Sequence, residues 1–184
     1  FSSDSNVSAE VVSTVEKGLK ALQQLGANVE EVTIPSLPYA RAANAIIMLN
    51  EAYAFHERNL KTRPQDYGEL CRARFRIGGL LGVSDYIQAQ RWRRPVMREF
   101  ADAFRRVDVL VTPTMTQPAP PFQGFDVTNV IRGPNFTSPF NFTGLPAISV
   151  PAGFTADGLP VGMQVAGKPF DEATIMRVAY TYQQ

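Results

Sequence analysis

Between Thr112 and Asn135 the chain carries Pro113, Pro118, Pro120, Pro121 and Pro134, together with Gly124 and Gly133. Proline removes a backbone donor and fixes φ, so no helix or sheet ladder survives that density of breakers. The stretch reads as one long loop, either a pocket rim or lid or a passive crossover, and both readings stay open. Around it the apolar residues fall into alternating helical and β patterns. At 184 residues, 45% hydrophobic and 19% charged, the chain can bury a real core. It reads as one folded α/β domain, or part of a larger one, and not as a disordered chain.

The local patterns set the expected elements. Val12, Val15, Leu19 and Leu22 share one face of a helix expected over Ser8 to Leu25, with Ser8 as N-cap and Gly26 just past its end. Asn28 to Ile34 alternates apolar and polar residues and predicts a short strand ending at Pro35. Helices are expected over Leu37 to Arg58 and Leu70 to Leu81, with a loop at Arg63-Pro64 between them. Ser84 is placed as the cap of a long helix through Phe104, with Trp92, Val96, Phe100 and Phe104 as its buried stripe. Val107 to Val111 reads as a buried strand. Two more strands are expected at Ala147 to Val150 and Val161 to Ala166, connected through a turn at Asp157-Gly158. In the second of these, Val161, Met163 and Val165 lie opposite Gly162, Gln164 and Ala166. Asp171 caps a last helix that turns Ile175, Val178 and Tyr182 inward.

Several kinds of chemistry drop out on residue counts. One histidine, His56, rules out any site built from two, which includes most zinc sites. Aspartates and glutamates are scattered, so neither metal nor cofactor is expected. One cysteine, Cys71, rules out an intrachain disulfide and points to a reducing, cytoplasmic setting. His56 sits mid-helix with no serine near it in sequence, and Cys71 reads as a small apolar helix residue. A net charge of +1 gives no drive toward nucleic acid or membrane. No apolar run approaches the ~18–20 residues of a spanning helix. Arg91, Arg93, Arg94, Arg98, Arg105 and Arg106 against Glu99 and Asp102 make the long helix locally basic. An RNA or phosphate surface would use such a set, but we read it as a solvated helix face. The first residue is Phe1, with no basic-then-apolar leader, and polypeptide upstream of it is expected.

One segment has a composition unusual for a core. Phe136 to Pro146 mixes three phenylalanines with small polar groups and turn residues, ahead of the strand Ala147-Ile148-Ser149-Val150. Aromatic walls with a few placed polar groups make a small-molecule pocket. A buried turn in which Asn141 and Thr143 satisfy backbone groups has the same composition. Composition does not choose between them.

The run Phe-Thr-x-Pro-Phe-Asn-x-Thr-Gly-Leu-Pro-Ala-Ile-Ser-Val-Pro from Phe136 resembles the C-terminal hallmark of the amidase signature family. So do Gly153-Phe154-Thr155-Ala156-Asp157-Gly158-Leu159-Pro160-Val161-Gly162-Met163-Gln164 and Gly167-Lys168-Pro169-Phe170-Asp171-Glu172-Ala173-Thr174 after it. Upstream, Asp85-Tyr86, Ala89-Gln90-Arg91 and Val107 to Thr114 fit the same order. The resemblance covers nearly the whole chain and is most specific from Val107 onward.

The resemblance implies the C-terminal part of an α/β amidase-signature fold, a mixed twisted sheet with helices on both faces. It implies hydrolysis of a carbon–nitrogen amide bond by a Ser–cis-Ser–Lys triad, through an acyl-enzyme, with no cofactor. This sequence lacks the family's Gly/Ser-rich stretch, and Lys17, Lys20, Lys61 and Lys168 lie in none of its lysine contexts. No catalytic residue is therefore assigned, and the chain alone is expected to be inactive. The pocket residues that carry over are Arg76, Phe136, Phe140, Asn141 and Thr143, and the expected partner is a small-molecule amide. Arg76-Ile77 followed by Gly79 resembles the family's Arg-Ile-x-x-Gly segment, whose arginine faces a substrate carboxylate or carbonyl in several members, a task that suits a guanidinium. Relatives that release ammonia from glutamine carry an acid just before the Phe-Thr run; here Gly133-Pro134-Asn135 offers none. The catalytic component of a tRNA-dependent amidotransferase is thus the alternative, and a non-catalytic binding module a further one. As part of one sheet the chain is also expected to associate with itself.

Overall fold

The computed structural model describes residues 6–121, 123 and 136–184. The chain divides into two compact units, one of Ile34–Phe100 and one of Phe1–Thr33 with Ala101–Gln184.

The first unit is helical. Helix α2 spans Leu37–Thr62, a 3-10 turn spans Pro64–Asp66, α3 spans Glu69–Gly78 and α4 spans Val83–Ala103, its last residues counting with the other unit. The N-terminus of α2 is tied to α4: Ser36 donates from its backbone N–H and its hydroxyl to the two Glu99 carboxylate oxygens, at 2.7 and 2.6 Å. Ala40, Ala43 and Ile47 recur at three- and four-residue steps and are buried. Helix α3 stops at Gly78, three residues short of the expected end. A Cβ there would run into the Leu49 carbonyl and lie 2.8 Å from the Tyr53 Cβ, so glycine is what lets α3 approach α2 this closely. On α4, Gly82 precedes the first helical residue and donates to Asp85 Oδ2 at 2.9 Å, so Ser84 is inside the helix and not its cap. Val96 and Phe100 are buried as expected, but Trp92 is 43% exposed and stacks on Tyr39 at 5.0 Å, while Ala89 takes its place inside.

The second unit holds the sheet. Helix α1 spans Ala9–Gln24, β1 spans Val109–Pro113, a short helix α5 spans Ser138–Thr143, β2 spans Ala147–Phe154, β3 spans Pro160–Gly167 and α6 spans Glu172–Tyr182. The strand order is β1-β3-β2, and both pairings are antiparallel. Val7, Val11, Val15, Leu22, Val150, Val161, Met163 and Ala179 form one buried cluster, which places α1 and α6 on the Val161–Met163–Val165 face of the sheet. Ile175 and Ala179 are the fully buried residues of α6, with Val178 and Tyr182 packed against the cluster.

Two strand expectations shift. Asn28 to Ile34 is not a strand: the segment pairs with no other among the described residues, and Glu30 holds Arg106 by a 2.9 Å ion pair. Alternation makes a strand only where a neighbour completes the ladder. Strand β1 begins two residues later than expected because the chain is still turning out of α4, with Arg106 and Val107 both donating to the Ala103 carbonyl. Of the expected loop, Thr114 to Pro121 carries no helix or strand, and most of the remainder lies outside the described residues.

Candidate functional site

Helix α5 is built by local signals. Pro139 sits in its first turn, where its missing N–H costs nothing. Gly144 ends it at φ 73°, donating to the Phe140 carbonyl at 2.8 Å, a left-handed position that glycine occupies without strain. The hydroxyl of Thr143 donates to the Pro139 carbonyl at 2.7 Å. Phe140, Phe142 and Thr143 are buried, whereas Asn141 is exposed. Phe136, just before the helix, is half-buried and packs against the α1–sheet cluster.

Opposite that cluster, the sheet presents a polar face. Thr112 on β1, Thr114 just past it, Ser149 on β2, and Gly162 and Gln164 on β3 share it through the register Thr112↔Gln164 and Ser149↔Gln164. Thr114 Oγ1 and Ser149 Oγ are 2.6 Å apart. Gly162 lies beneath them, and a Cβ there would come within 2.8 Å of the Thr114 hydroxyl and 2.9 Å of the Ser149 hydroxyl. Gln164, 5% exposed, donates from Nε2 to Thr112 Oγ1 at 3.1 Å and to the Phe136 carbonyl at 2.9 Å. The first residue of the candidate pocket segment is thus fastened to the polar face.

Of the five expected pocket residues, the structure brings Phe136, Phe140, Asn141 and Thr143 into one turn-and-helix segment. Arg76 belongs to the other unit, exposed in the last turn of α3, and no carboxylate pairs with it among the described residues. Gln164 is not among the expected site residues, though a lone carboxamide within an apolar strand is its visible signal. Helix α5 is absent from the expected elements too, although Pro139 and Gly144 mark its two ends.

The remaining candidates have ordinary surroundings. His56 on α2 shares a 3.0 Å hydrogen bond with the Tyr67 hydroxyl and stacks on Phe75 at 4.9 Å, a packed aromatic position. Cys71 is exposed on α3 instead of filling an apolar gap. Arg91, Arg94 and Arg98 are exposed along α4, and Arg105 pairs with Asp102 at 3.4 Å. On α2, Lys61 hydrogen-bonds Glu57 at 2.7 Å, which draws the carboxyl below its usual range and raises the ammonium. Among the described residues no helix is long and apolar enough to cross a membrane.

The family model described as Amidase matches residues 1–176. The chain belongs to the amidase signature family. It is 38% identical over 205 aligned positions to the A subunit of glutamyl-tRNA(Gln) amidotransferase from Symbiobacterium thermophilum, covering 95% of this chain and 41% of that protein. It is 35% identical over 187 positions to an amidase of Pseudomonas putida, covering 97% and 40%. A crystal structure of an amidase superposes with a TM-score of 0.84 at 27% identity, over 95% of this chain and 41% of the other. The A subunit of glutamyl-tRNA(Gln) amidotransferase from Thermotoga maritima superposes with a TM-score of 0.70 at 33% identity, over 95% and 38%. The chain spans about two fifths of the length of these curated relatives. The family membership and the α/β architecture expected from the motifs stand.

Proposed function

We propose that the chain is the C-terminal portion of an amide hydrolase whose Ser–cis-Ser–Lys triad lies in polypeptide outside these residues. The observation that carries this reading is a family match over residues 1–176 in a chain only two fifths as long as its relatives. The lysine would deprotonate the bridging serine, which relays to the nucleophilic serine; the acyl-enzyme is then released by water. The part played by this chain is the cleft wall. Asn141, exposed, can donate to a substrate carbonyl or accept an amide N–H. Phe136 lines the acyl side, and Phe140 and Thr143 hold α5 in place beneath it. Taken separately in the helical unit, Arg76, unpaired by any carboxylate among the described residues, is a candidate partner for a substrate carboxylate by the family resemblance. The cytoplasmic setting is read from the sequence alone, which holds a single cysteine.

The test is direct. The 184-residue chain alone is expected to release no ammonia from benzamide or hexanamide and to take no fluorophosphonate label, while the longer polypeptide does both. Labelling of the chain alone overturns the assignment. In the longer protein, Asn141→Ala is expected to lower kcat/KM about tenfold or more with unfolding unchanged, since the residue is exposed. Arg76→Ala is expected to impair a carboxylate-bearing amide such as glutaramic acid by about tenfold or more relative to butyramide. Equal loss on both, with lowered stability, makes Arg76 structural.

The second reading is the catalytic component of a glutamine-dependent tRNA amidotransferase, favoured by the 38% identity to one such protein. Against it stands Gly133-Pro134-Asn135, which offers no carboxylate for a glutamine amino group. Stable co-purification of the longer protein with a tRNA-binding partner protein would establish it. Strands β1 and β2 each have a partner on one side only among the described residues, so the chain alone is expected to associate with itself. Sedimentation velocity showing a non-associating monomer at about 50 µM, a working concentration at which exposed edges aggregate, would contradict this.

A further inference from the structure

Gln164 occupies the middle of the central strand, where every neighbouring position from Met163 to Gly167 is buried. A carboxamide taken out of water there must find partners, because an unpaired buried polar group costs about as much as several methyl groups gain. Its Nε2 has two: the hydroxyl of Thr112, its register partner on β1, and the carbonyl of Phe136. The first bond lies within the sheet. The second reaches out of it, to the residue where the chain enters the segment leading into α5.

The strand's other contacts do not require a carboxamide at this position. Leucine or methionine would fill the same space but would leave the Thr112 hydroxyl and the Phe136 carbonyl without this donor. The feature that only Gln164 supplies is a donor aimed at the Phe136 carbonyl. We infer that Gln164 is a positioning residue for substrate selection: it fixes the Phe136 end of the segment Phe136–Thr143 on the sheet and so sets the shape of the acyl wall. This rests on the assignment of that segment to the acyl pocket above. The Thr143–Pro139 bond holds α5 from within, and the Gln164 bond ties the residue at which the segment begins to the central strand.

The geometry separates three variants. Gln164→Met keeps the volume and loses both bonds. Gln164→Glu places acceptor oxygens opposite the Phe136 carbonyl. Thr112→Val removes the hydroxyl partner and leaves the bond to Phe136. In the longer protein, hydrogen exchange at the amides of Asn141, Gly144 and Leu145 is expected to quicken about tenfold in Gln164→Met, more in Gln164→Glu, and to stay within about twofold in Thr112→Val, with the Val12 amide of α1 as the internal reference. Uniform quickening across α1 and α5, or none in α5, overturns the inference. In the longer protein, Gln164→Met is expected to change the kcat/KM ratio of hexanamide to acetamide about tenfold, mainly through KM. Loss by the same factor on both amides overturns the role in selection even where the exchange result holds. If the unmodified longer protein turns over neither amide, the amidase reading fails, and the exchange measurement still decides the grip of Gln164 on Phe136.

Discussion

Phe142→Ala is expected to remove about 3–5 kcal/mol of stability, the cost of emptying a site filled by a wholly buried phenylalanine. Phe142 has no exposed surface and sits in α5 between exposed Asn141 and buried Thr143. A six-residue helix has little stability of its own, since nucleation is costly and few backbone bonds follow it. Its position must come from the side chains it buries, and Phe142 is the largest of those with no exposure. A domain holding only about 5–15 kcal/mol in total would be left marginal or unfolded. Urea denaturation monitored by far-UV circular dichroism reads the loss directly. Asn141→Ala, one residue away, is expected to change stability by less than about 0.5 kcal/mol. A loss below about 1 kcal/mol for Phe142→Ala would mean that α5 is not seated by its aromatic residues.

Gly78→Ala is expected to destabilise by about 3 kcal/mol, the upper part of the usual range for overpacking. Its sign makes it decisive. In an isolated helix, replacing glycine by alanine gains about 1 kcal/mol. Here the new methyl would strike the Leu49 carbonyl, which is main chain within α2 and cannot rotate aside. Gly79→Ala meets the Tyr53 ring at 2.7 Å instead. A ring can turn, at the expense of the 3.3 Å bond from the Tyr53 hydroxyl to Glu57, so the smaller loss is expected there. Denaturant midpoints of the two variants against the parent chain check the order, and a stabilised Gly78→Ala would show that α3 does not lie against α2 as described.

The longer helices were legible because their signals are local. Ser8 and Gly26 bracket α1 to within a residue or two, and Asp171 precedes α6. The hairpin β2–β3 was legible for the same reason, since Asp157-Gly158 lies between its two apolar runs and Gly158 donates to the Thr155 carbonyl at 3.0 Å. The family motifs, being runs of consecutive residues, could also be read directly. The exposure of Trp92 could not: α4 turns Ala89, Val96 and Phe100 inward and leaves the indole to stack on Tyr39 at the surface.

Residue order alone thus settled where the longer helices lie, the breakers and the family, because each depends on neighbours within a turn or a short run; it missed α5, ended α2 at Arg58 where it runs to Thr62, and ran α3 three residues too far. Three-dimensional packing settled which alternating runs became strands and which polar side chains were drawn inside. Asn28 to Ile34 and Val161 to Ala166 both alternate, yet only the second found strands on both sides. Gln164 became the link between the sheet and Phe136 only when Thr112, 52 positions away in sequence, and the Phe136 carbonyl, 28 away, arrived beside it. Pairing and desolvation depend on partners distant along the chain, and no local pattern specifies those.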